Sequence, residues 1–356
     1  MRGASRSHEV HRGEVALINV AILGYGNIGS GVGTVIAENA AEIKRTLGDT
    51  LNVKYILDIR DIPGVVNDIN TIVNDPEVKV VCETMGGKEP AFTYSRLALE
   101  HGMSVCSSNK ELVDAYGVEL SRIAREHNCS YLFEASVGGG IPIIRPLRSA
   151  CAHENITLIA GILNGTCNYI LTNMKAGKDF ATALKEAQEK GFAERNPAAD
   201  VEGHDTARKI AILASLVSGK KYSYEQVACE GITNITPEDF AMAESRGMSI
   251  KLLGVYDAKK GSVNVAPYLV PASSPLYGVN DVFNGIMVHG TQVDNLMFYG
   301  RGAGKLPTAS AVVSDVIECA KNIGRNIPND FDGLEPAVAA QPESVPAGEK
   351  FRVLSV

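Results

Sequence analysis

The sequence contains no tryptophan, only 6% aromatic residues and no excess of positive charge. Its formal net charge of −7 argues against nucleic acid or an anionic membrane surface as the main partner. No apolar run reaches the roughly 20 residues that a membrane-spanning helix needs. The 356 residues are 45% hydrophobic, however, so the chain can bury the core of one large domain or of two smaller ones.

Paired cysteine motifs are absent as well, because the seven cysteines are scattered and never form C-x-x-C. Their odd number argues against a disulfide framework or a zinc site and favours reduced thiols in the cytoplasm, which is the expected location. Residues 1–16 lack the apolar stretch and the cleavage site of a secretory signal. We therefore interpret them as a flexible N-terminal tail.

Short apolar runs alternate with helical patterns over residues 17–148. The run "INVAILG" indicates a buried strand, a helical pattern over residues 27–47 follows it, and later strand patterns include "VKVVCET" and "SYLFEA". Strands that alternate with helices predict an α/β fold with a Rossmann-type, doubly wound parallel sheet.

The turn-rich stretch "SVGGGIPIIRP" ends this pattern, and a second, α+β domain is expected over residues 149–305. It begins with the strand "NITLIAGILN" and ends in β-rich segments, including a hairpin that turns at Lys260-Gly261. These segments predict an open mixed sheet covered by helices. A last helix over residues 306–324 precedes a Pro-rich, polar C-terminal tail, residues 325–356.

A glycine-rich turn, "GYGNIG", follows the first strand and opens the long helix. In such a turn Gly24 permits the tight bend, Gly26 lets a pyrophosphate approach the backbone, and Gly29 lets helix and strand pack closely. The first turn of the helix, with Asn27 and Ile28, offers free N–H groups and the positive end of the helix dipole to the phosphates. The strand–turn–helix context therefore predicts a dinucleotide site.

The residues after the second strand, "LDIRD", bear on the choice of cofactor. An acidic residue there binds the ribose 2′-hydroxyl of NAD, whereas an arginine binds the 2′-phosphate of NADP. Asp58, Arg60 and Asp61 are all candidates. Both cofactors stay open, with a slight preference for NADP through Arg60.

Two further turns, at residues 82–87 and 107–112, lie where α/β sheets bind ligands, just outside the carboxyl ends of parallel strands. Lys110 begins a helix there, although a cation at a helix N-terminus opposes the dipole, so we favour a functional role over a surface lysine. The candidate cofactor-binding residues of these turns are Thr84, Met85, Gly86, Ser108, Asn109 and Lys110.

The helical stretch "EGHDTARKIAILASL" carries two charges on its apolar face. At 3.6 residues per turn, Asp205 and Lys209 share a stripe with Ile212 and Leu216, which should face a core. One interpretation is an i,i+4 ion pair on a half-exposed helix. The other is a lysine in a dry cleft that donates a proton.

Several carboxylates precede this helix, in the loop "KGFAERNPAADVEG". Glu194 and Asp200 suggest a substrate with an ammonium group, because a cation in a cleft needs anions around it. His204 falls on the opposite, polar side of the helix, so we interpret it as a surface residue. A dinucleotide domain, two lysines and an acidic loop indicate hydride transfer to a carbonyl, which needs a held nicotinamide, a proton donor and a fixed substrate.

At this point the sequence resembles a known family, the homoserine dehydrogenases, over about residues 18–324. The matching stretches are "GYGNIGSG", "ETMGG", "SSNKEL", "FEASVGGGIPIIRPL", "GILNGTCNYIL", "GFAERNPAADVEGHDTARKIAILA", "EGI" and "GRGAGKLPTASAVVSD". The resemblance implies reversible reduction of L-aspartate-4-semialdehyde to L-homoserine with NADPH or NADH, on the branch to threonine and methionine. It also implies a homodimer whose interface is supplied by β segments of the second domain.

The resemblance implies roles for individual residues. The implied catalytic residues are Lys209 as the principal proton donor or acceptor, Lys110, and Asp205, which orients the substrate or the lysine. The residues implied to bind the amino acid or line its site are Glu194, Asp200, Gly165 and Thr166. The "GRGAG" stretch implies that Gly302 returns to the cofactor domain, with the last helix packed near it.

The family also holds a monovalent cation, usually Na⁺, in the stretch "FEASVGGGI". The implied ligands are the side chain or backbone of Glu134 and the carbonyls of Val137, Gly139 and Ile141. Oxygen ligands suit such a hard cation.

The chain departs from the family at Asn196 and Ala199, where relatives commonly carry acids, which puts the number of carboxylates at the ammonium in doubt. Many relatives also carry a C-terminal regulatory domain. Only about thirty residues follow the last helix here, so an ACT-type domain is not expected.

Two rival functions fit the sequence less well. An aspartate-semialdehyde dehydrogenase would need an activated cysteine, and neither Cys106 nor Cys167 has an evident histidine partner. A non-catalytic nucleotide-sensing module would not need both lysines and the acidic loop.

Overall fold

The computed structural model describes residues 17–60 and 62–355, so the expected N-terminal tail and Asp61 lie outside the described residues. A parallel sheet of five strands forms the N-terminal part, as predicted. Its strands are β1 (Leu17–Leu23), β2 (Thr50–Leu57), β3 (Val78–Glu83), β4 (Ser104–Ser107) and β5 (Tyr131–Leu132), in the spatial order β2-β1-β3-β4-β5. Because the strand order reverses between β1 and β3, a crevice for ligands opens at their carboxyl ends.

The helices of this part cover both faces of the sheet. They are α1 (Asn27–Glu38), α2 (Ala40–Leu47), α3 (Asn70–Val73), α4 (Ala91–Glu100) and α5 (Lys110–Glu126). The single helix predicted over residues 27–47 is wrong, because α1 ends at Glu38 and its C-cap, Asn39, has a φ of −102° and a ψ of 18°. An asparagine side chain competes for backbone hydrogen bonds and therefore favours helix ends.

The second part contains an open mixed sheet, also as predicted. The remaining strands are β6 (Ile156–Ile162), β7 (Lys220–Lys221), β8 (Ala228–Cys229), β9 (Met248–Asp257), β10 (Ser262–Pro271), β11 (Phe283–Gly290), β12 (Asp294–Arg301), β13 (Glu335–Pro336) and β14 (Arg352–Val353). The spatial order is β12-β11-β6-β9-β10-β14, and β8 also pairs with β10. Strands β9 and β10 form the predicted hairpin, which turns through Gly261 at a φ of +63°.

Helices pack on this second sheet and link it to the first. They are α6 (Ile144–Arg148), α7 (Gly165–Lys175), α8 (Phe180–Glu189), α9 (Ala198–Val201), α10 (His204–Ser218), α11 (Pro237–Ser245) and α12 (Lys305–Lys321). Helix α12 returns to the N-terminal part and lies so close to α1 that a Cβ on Gly31 would be 3.0 Å from the Ala309 Cβ. None of the helices in the described ranges is long and apolar enough to cross a membrane.

The segment after α12, residues 325–355, is packed along both parts of the molecule, which the expectation of a polar tail missed. Phe331 is completely buried, and the Asn329 side chain donates to the Tyr131 carbonyl at 2.7 Å. Further along, β13 pairs with β7, and β14 extends the second sheet beside β10. The reason for the miss is physical: single apolar residues in a polar stretch show no periodicity, and all of these contacts are distant in sequence.

Candidate active site

The charged stripe of α10 points to the carboxyl-terminal edge of the first sheet. Lys209 is only 9% exposed, and its Nζ lies 2.7 Å from Asp205 Oδ2 and donates to the Leu163 carbonyl at 2.8 Å. Lys110, the first residue of α5, places its Nζ 3.3 Å from Asp205 Oδ1. Two lysines from different parts of the chain therefore share one carboxylate. The Asp205–Lys209 contact is the predicted i,i+4 ion pair, but both side chains are largely buried instead of half-exposed.

The charge state of this cluster follows from its contacts. Burial alone would raise the pKa of Asp205, but Lys209, Lys110 and the hydrogen bonds that it accepts hold that pKa well below its usual range. Asp205 is therefore an ionised carboxylate at neutral pH. A buried ion pair gains little net stability, since desolvation offsets the attraction, so the arrangement is more consistent with chemistry than with stability.

Asn164 connects this cluster to the acidic loop, and it was not among the site residues predicted from the sequence. It caps α7 by accepting from the Cys167 amide at 2.8 Å. Its Nδ2 donates to Asp200 Oδ1 at 2.7 Å and to Asp205 Oδ2 at 2.9 Å. The sequence feature that could have revealed Asn164 is its position at the start of a helix, since asparagine is a preferred N-cap residue. Burial, followed by the charge of Asp205, raises the pKa of Asp200 above its usual value.

The other predicted substrate residues lie around this cluster at different depths. Thr166 donates its hydroxyl to the Phe192 carbonyl at 2.6 Å, which holds the acidic loop against α7. A Cβ on Gly165 would lie 2.7 Å from the Val282 carbonyl oxygen, so only glycine fits. Glu194 is exposed on the loop, and in the part of the chain described its carboxylate makes no hydrogen bond with the cluster.

The two departures from the family pattern and the neighbouring histidine lie at the surface. Asn196 and Ala199 are exposed on the acidic loop. The His204 Nε2 lies 3.3 Å from the Glu202 carboxylate, at the exposed side of α10. These positions do not contribute side chains to the cluster around Asp205.

The glycine-rich turn has the geometry that a dinucleotide site requires. Gly24 has a φ of +83°, and a Cβ on Gly29 would lie 2.0 Å from the Gly24 carbonyl oxygen. A Cβ on Gly26 would meet nothing within 4 Å, so this position faces open space at the start of α1. Thr84 closes the turn by donating to the Gly24 carbonyl at 2.7 Å, and the Met85 side chain lies directly against Gly24.

Asp58 and Arg60, the two described candidates for the cofactor ribose, bind each other. Arg60 donates Nε to Asp58 Oδ1 and Nη2 to Oδ2, both at 2.8 Å. The Tyr25 and Arg60 amides also donate to this carboxylate, at 2.7 and 3.0 Å. The Arg60 hydrogen bond therefore lowers the pKa of Asp58 far below its usual value, and the acceptor capacity of Asp58 is filled. The Arg60 side chain remains 53% exposed.

The turns at residues 84–87 and 107–109 are joined by hydrogen bonds. The Ser108 amide donates to the Glu83 carbonyl at 3.2 Å. Asn109 caps α5, with Oδ1 accepting from the Glu111 and Leu112 amides, and its Nδ2 donates to the Gly87 carbonyl at 2.6 Å. The cap explains why α5 begins with Lys110 at this place despite the unfavourable dipole.

The stretch predicted to hold a cation fits that role in part. The Glu134 carboxylate accepts from the amides at the start of α6, those of Ile143, Ile144 and Arg145, at 2.6–2.8 Å. Both of its oxygens are thereby engaged, so the backbone carbonyl is the Glu134 ligand that fits better. The turn at Gly139 lies against Gly302, since a Cβ on Gly139 would be 2.5 Å from the Gly302 carbonyl oxygen.

Neither cysteine near the motifs has the surroundings of a nucleophile. Cys106 and Cys167 are completely buried, and burial raises the pKa of both thiols well above the usual value. The neighbours of these thiols are the Cys319 sulfur and the Asp200 carbonyl. These contacts argue against the cysteine-dependent rival reaction.

Comparison with known proteins identifies the family. A family model described as homoserine dehydrogenase matches residues 142–317, and the homoserine dehydrogenase NAD-binding domain matches residues 24–134. The homoserine dehydrogenase of Bacillus subtilis is 41% identical over 329 residues, which cover 89% of this chain and 76% of that protein. The chain belongs to the homoserine dehydrogenase family. As a member of this family, it is an NAD(P)-dependent oxidoreductase.

Other homoserine dehydrogenases are similar in sequence and structure. The Synechocystis protein is 42% identical over 316 residues, which cover 84% of this chain and 72% of that protein. The crystal structure from Thiobacillus denitrificans superposes with a TM-score of 0.83 at 37% identity, covering 86% of this chain and 74% of that one. A hyperthermophilic archaeal homoserine dehydrogenase in complex with NADPH has a TM-score of 0.74 at 27% identity, covering 85% of this chain and 98% of that one.

Proposed function

We propose that the cleft between α5 and α10 reduces L-aspartate-4-semialdehyde to L-homoserine, reversibly, with NADPH or NADH. The observation that carries this proposal is the meeting of Lys209 and Lys110 at the single carboxylate of Asp205. The cluster includes Lys110, which follows the carboxyl end of β4, in the same parallel sheet whose strand β1 leads into the glycine-rich turn. When bound, the cofactor supplies the hydride.

In the proposed mechanism the protein supplies proton transfer and positioning. Lys209 gives its proton to the oxygen of the forming alkoxide. Asp205 and the Leu163 carbonyl accept hydrogen bonds from the Lys209 ammonium group and hold it in one orientation. Lys110 adds positive potential at the same oxygen, which stabilises the developing negative charge. Asp200, oriented by Asn164, binds the ammonium group of the amino acid, and Glu194 on the same loop is the second carboxylate proposed to bind it.

A monovalent cation and a second subunit complete the proposed enzyme. The cation would be Na⁺, held by the backbone carbonyls of Glu134, Val137, Gly139 and Ile141. There it would stabilise the turn at Gly139, which packs against Gly302. The homodimer would form through the strands of the second sheet. The unpaired cysteines of the described residues support a place in the cytoplasm.

The function is tested by initial rates of NADP⁺ and NAD⁺ reduction with L-homoserine as the substrate. Homoserine-dependent reduction supports the proposal, and cofactor binding without turnover would favour the nucleotide-sensing module instead. L-Threonine, which has a hydroxyl at a different carbon, serves as the negative control.

Cofactor choice gives a first prediction. Arg60→Ala is expected to raise the KM for NADPH about tenfold, because the 2′-phosphate loses a charge-assisted hydrogen bond. The KM for NADH is expected to stay the same or fall, since Asp58 becomes free to accept from the 2′-hydroxyl. Initial rates with both cofactors measure this. Arg45→Ala, which breaks another arginine–carboxylate contact in the same domain, should change neither value, and equal losses with both cofactors would contradict the assignment.

Substrate binding gives a second prediction, from the raised pKa of Asp200. Asp200 binds the substrate ammonium only as a carboxylate, so protonation below its raised pKa removes the anion. The KM for L-homoserine is therefore expected to rise as the pH falls through the raised pKa of Asp200. Asp200→Asn should have a KM about tenfold higher that no longer depends on pH over this range. The exposed neighbour variant Glu202→Gln should keep the wild-type profile, and an unchanged profile in Asp200→Asn would count against the role.

A further inference from the structure

Glu83, the last residue of β3, is a fully buried carboxylate that the proposed reaction does not use. The Met85 amide donates to its Oε1 at 2.9 Å, and the Ser107 hydroxyl donates to its Oε2 at 2.6 Å. Both partners are neutral, and burial raises the pKa of Glu83 above its usual value. A carboxylate buried among neutral partners costs stability, so its presence calls for a reason other than stability.

The hydrogen bonds of Glu83 lead to the start of α5. The Ser107 hydroxyl, which donates to Glu83, accepts from the Asn109 amide at 3.0 Å. The Asn109 side chain in turn caps α5 and donates to the Gly87 carbonyl at 2.6 Å. We call Glu83, Ser107 and Asn109 the relay. It ties the turn after β3 to the turn after β4 by contacts that are all buried or partly buried.

The residue placed by the relay is Lys110, which follows Asn109 and begins α5. Its Nζ lies 3.3 Å from Asp205 across the cleft, at a helix end where the dipole disfavours a cation. A small rotation of the first turn of α5 would move this nitrogen away from the site. Each Glu83 oxygen accepts from a different turn, Oε1 from the Met85 amide and Oε2 from the Ser107 hydroxyl, whereas a glutamine amide has only one oxygen that accepts, so Glu83 links the two turns in a way that an amide does not.

We infer that Glu83 is a positioning residue of the active site, which fixes Lys110 through the relay. The inference rests on the role proposed above for Lys110. Glu83 itself touches neither the substrate nor the reacting atoms. Its carboxylate keeps the first turn of α5 in the orientation in which Lys110 meets Asp205.

The test is a double-mutant cycle on kcat for L-homoserine oxidation. The variants are Glu83→Gln, Ser107→Ala, Lys110→Ala and the combination of each of the first two with Lys110→Ala. Glu83→Gln and Ser107→Ala are each expected to lower kcat about tenfold, because displacing a catalytic group by a fraction of an ångström is costly. Combined with Lys110→Ala, neither should lower kcat further, because both act through the same side chain.

Asp114→Asn is the matched control, since Asp114 is a buried carboxylate of the same helix, α5, bound to Lys221 instead of the relay. It should lower the melting temperature and leave kcat unchanged. Ser107→Ala keeps the Glu83 side chain and removes only the hydroxyl that links it to Asn109, so it tests the relay even if Glu83→Gln fails to fold.

The proposed function and the relay would be contradicted by different results. A wild-type enzyme without homoserine-dependent turnover overturns the proposed function. An active wild-type enzyme in which the losses from Glu83→Gln or Ser107→Ala multiply with that from Lys110→Ala overturns the relay alone. An unchanged kcat in both relay variants overturns it as well.

Discussion

Lys209→Ala is expected to lower kcat for L-homoserine oxidation by about 10²-fold or more, as for the loss of a general acid–base group. Affinity for the cofactor should change little, because Lys209 bonds to Asp205 and the Leu163 carbonyl, and neither of these partners belongs to the glycine-rich turn. The measurement is kcat from initial rates, together with a fluorescence titration of NADPH. An unchanged kcat would remove Lys209 from the mechanism.

Lys209→Arg separates proton transfer from charge. The guanidinium keeps the positive charge beside Asp205, so the fold should tolerate it better than alanine. It does not release its proton in proteins, however, so kcat should remain low. Lys221→Ala is the matched control, because Lys221 also pairs with a buried aspartate, Asp114, outside the cleft. This variant should lose stability and keep kcat.

Much of this site could be predicted from sequence because its signals are local. The helical period placed Asp205 and Lys209 on one face, and strand–turn–helix context identified the turn from Gly24 to Gly29. The structure shows the same face and the same turn. Each of these arguments needs only the neighbours of a residue within one or two turns of chain.

The parts that were missed depend on contacts that are distant in sequence. Spacing alone left Lys209 equally consistent with a surface ion pair, because the position of Lys110 beside Asp205 is set by how two domains pack. The mutual binding of Asp58 and Arg60 was also unforeseen, since the two were weighed as alternatives although they lie two residues apart. Side-chain pairing of this kind is decided by the turn geometry, which sequence patterns do not report.

Gly26→Ala is expected to weaken NADPH binding while leaving the fold intact. A methyl group at this position meets no protein atom within 4 Å, so it should cost little stability. It would project from the start of α1, where the pyrophosphate must approach the backbone. The loss of one hydrogen bond to a charged group costs about 1.5–3 kcal/mol, or roughly 10- to 100-fold in Kd.

Alanine variants of two other glycines serve as controls. For all three variants, NADPH fluorescence gives the Kd and thermal melting gives the stability. Gly29→Ala should raise the Kd for NADPH and lower the melting temperature, because its Cβ would lie 2.0 Å from the Gly24 carbonyl oxygen. Gly278→Ala should change neither the Kd nor the melting temperature. Its Cβ also meets nothing within 4 Å, but Gly278 lies in the part of the molecule that contains the second sheet. If Gly26→Ala bound NADPH as tightly as Gly278→Ala does, the pyrophosphate could not lie on this turn. If Gly26→Ala melted as early as Gly29→Ala, its lost affinity would be a consequence of unfolding instead of a blocked approach.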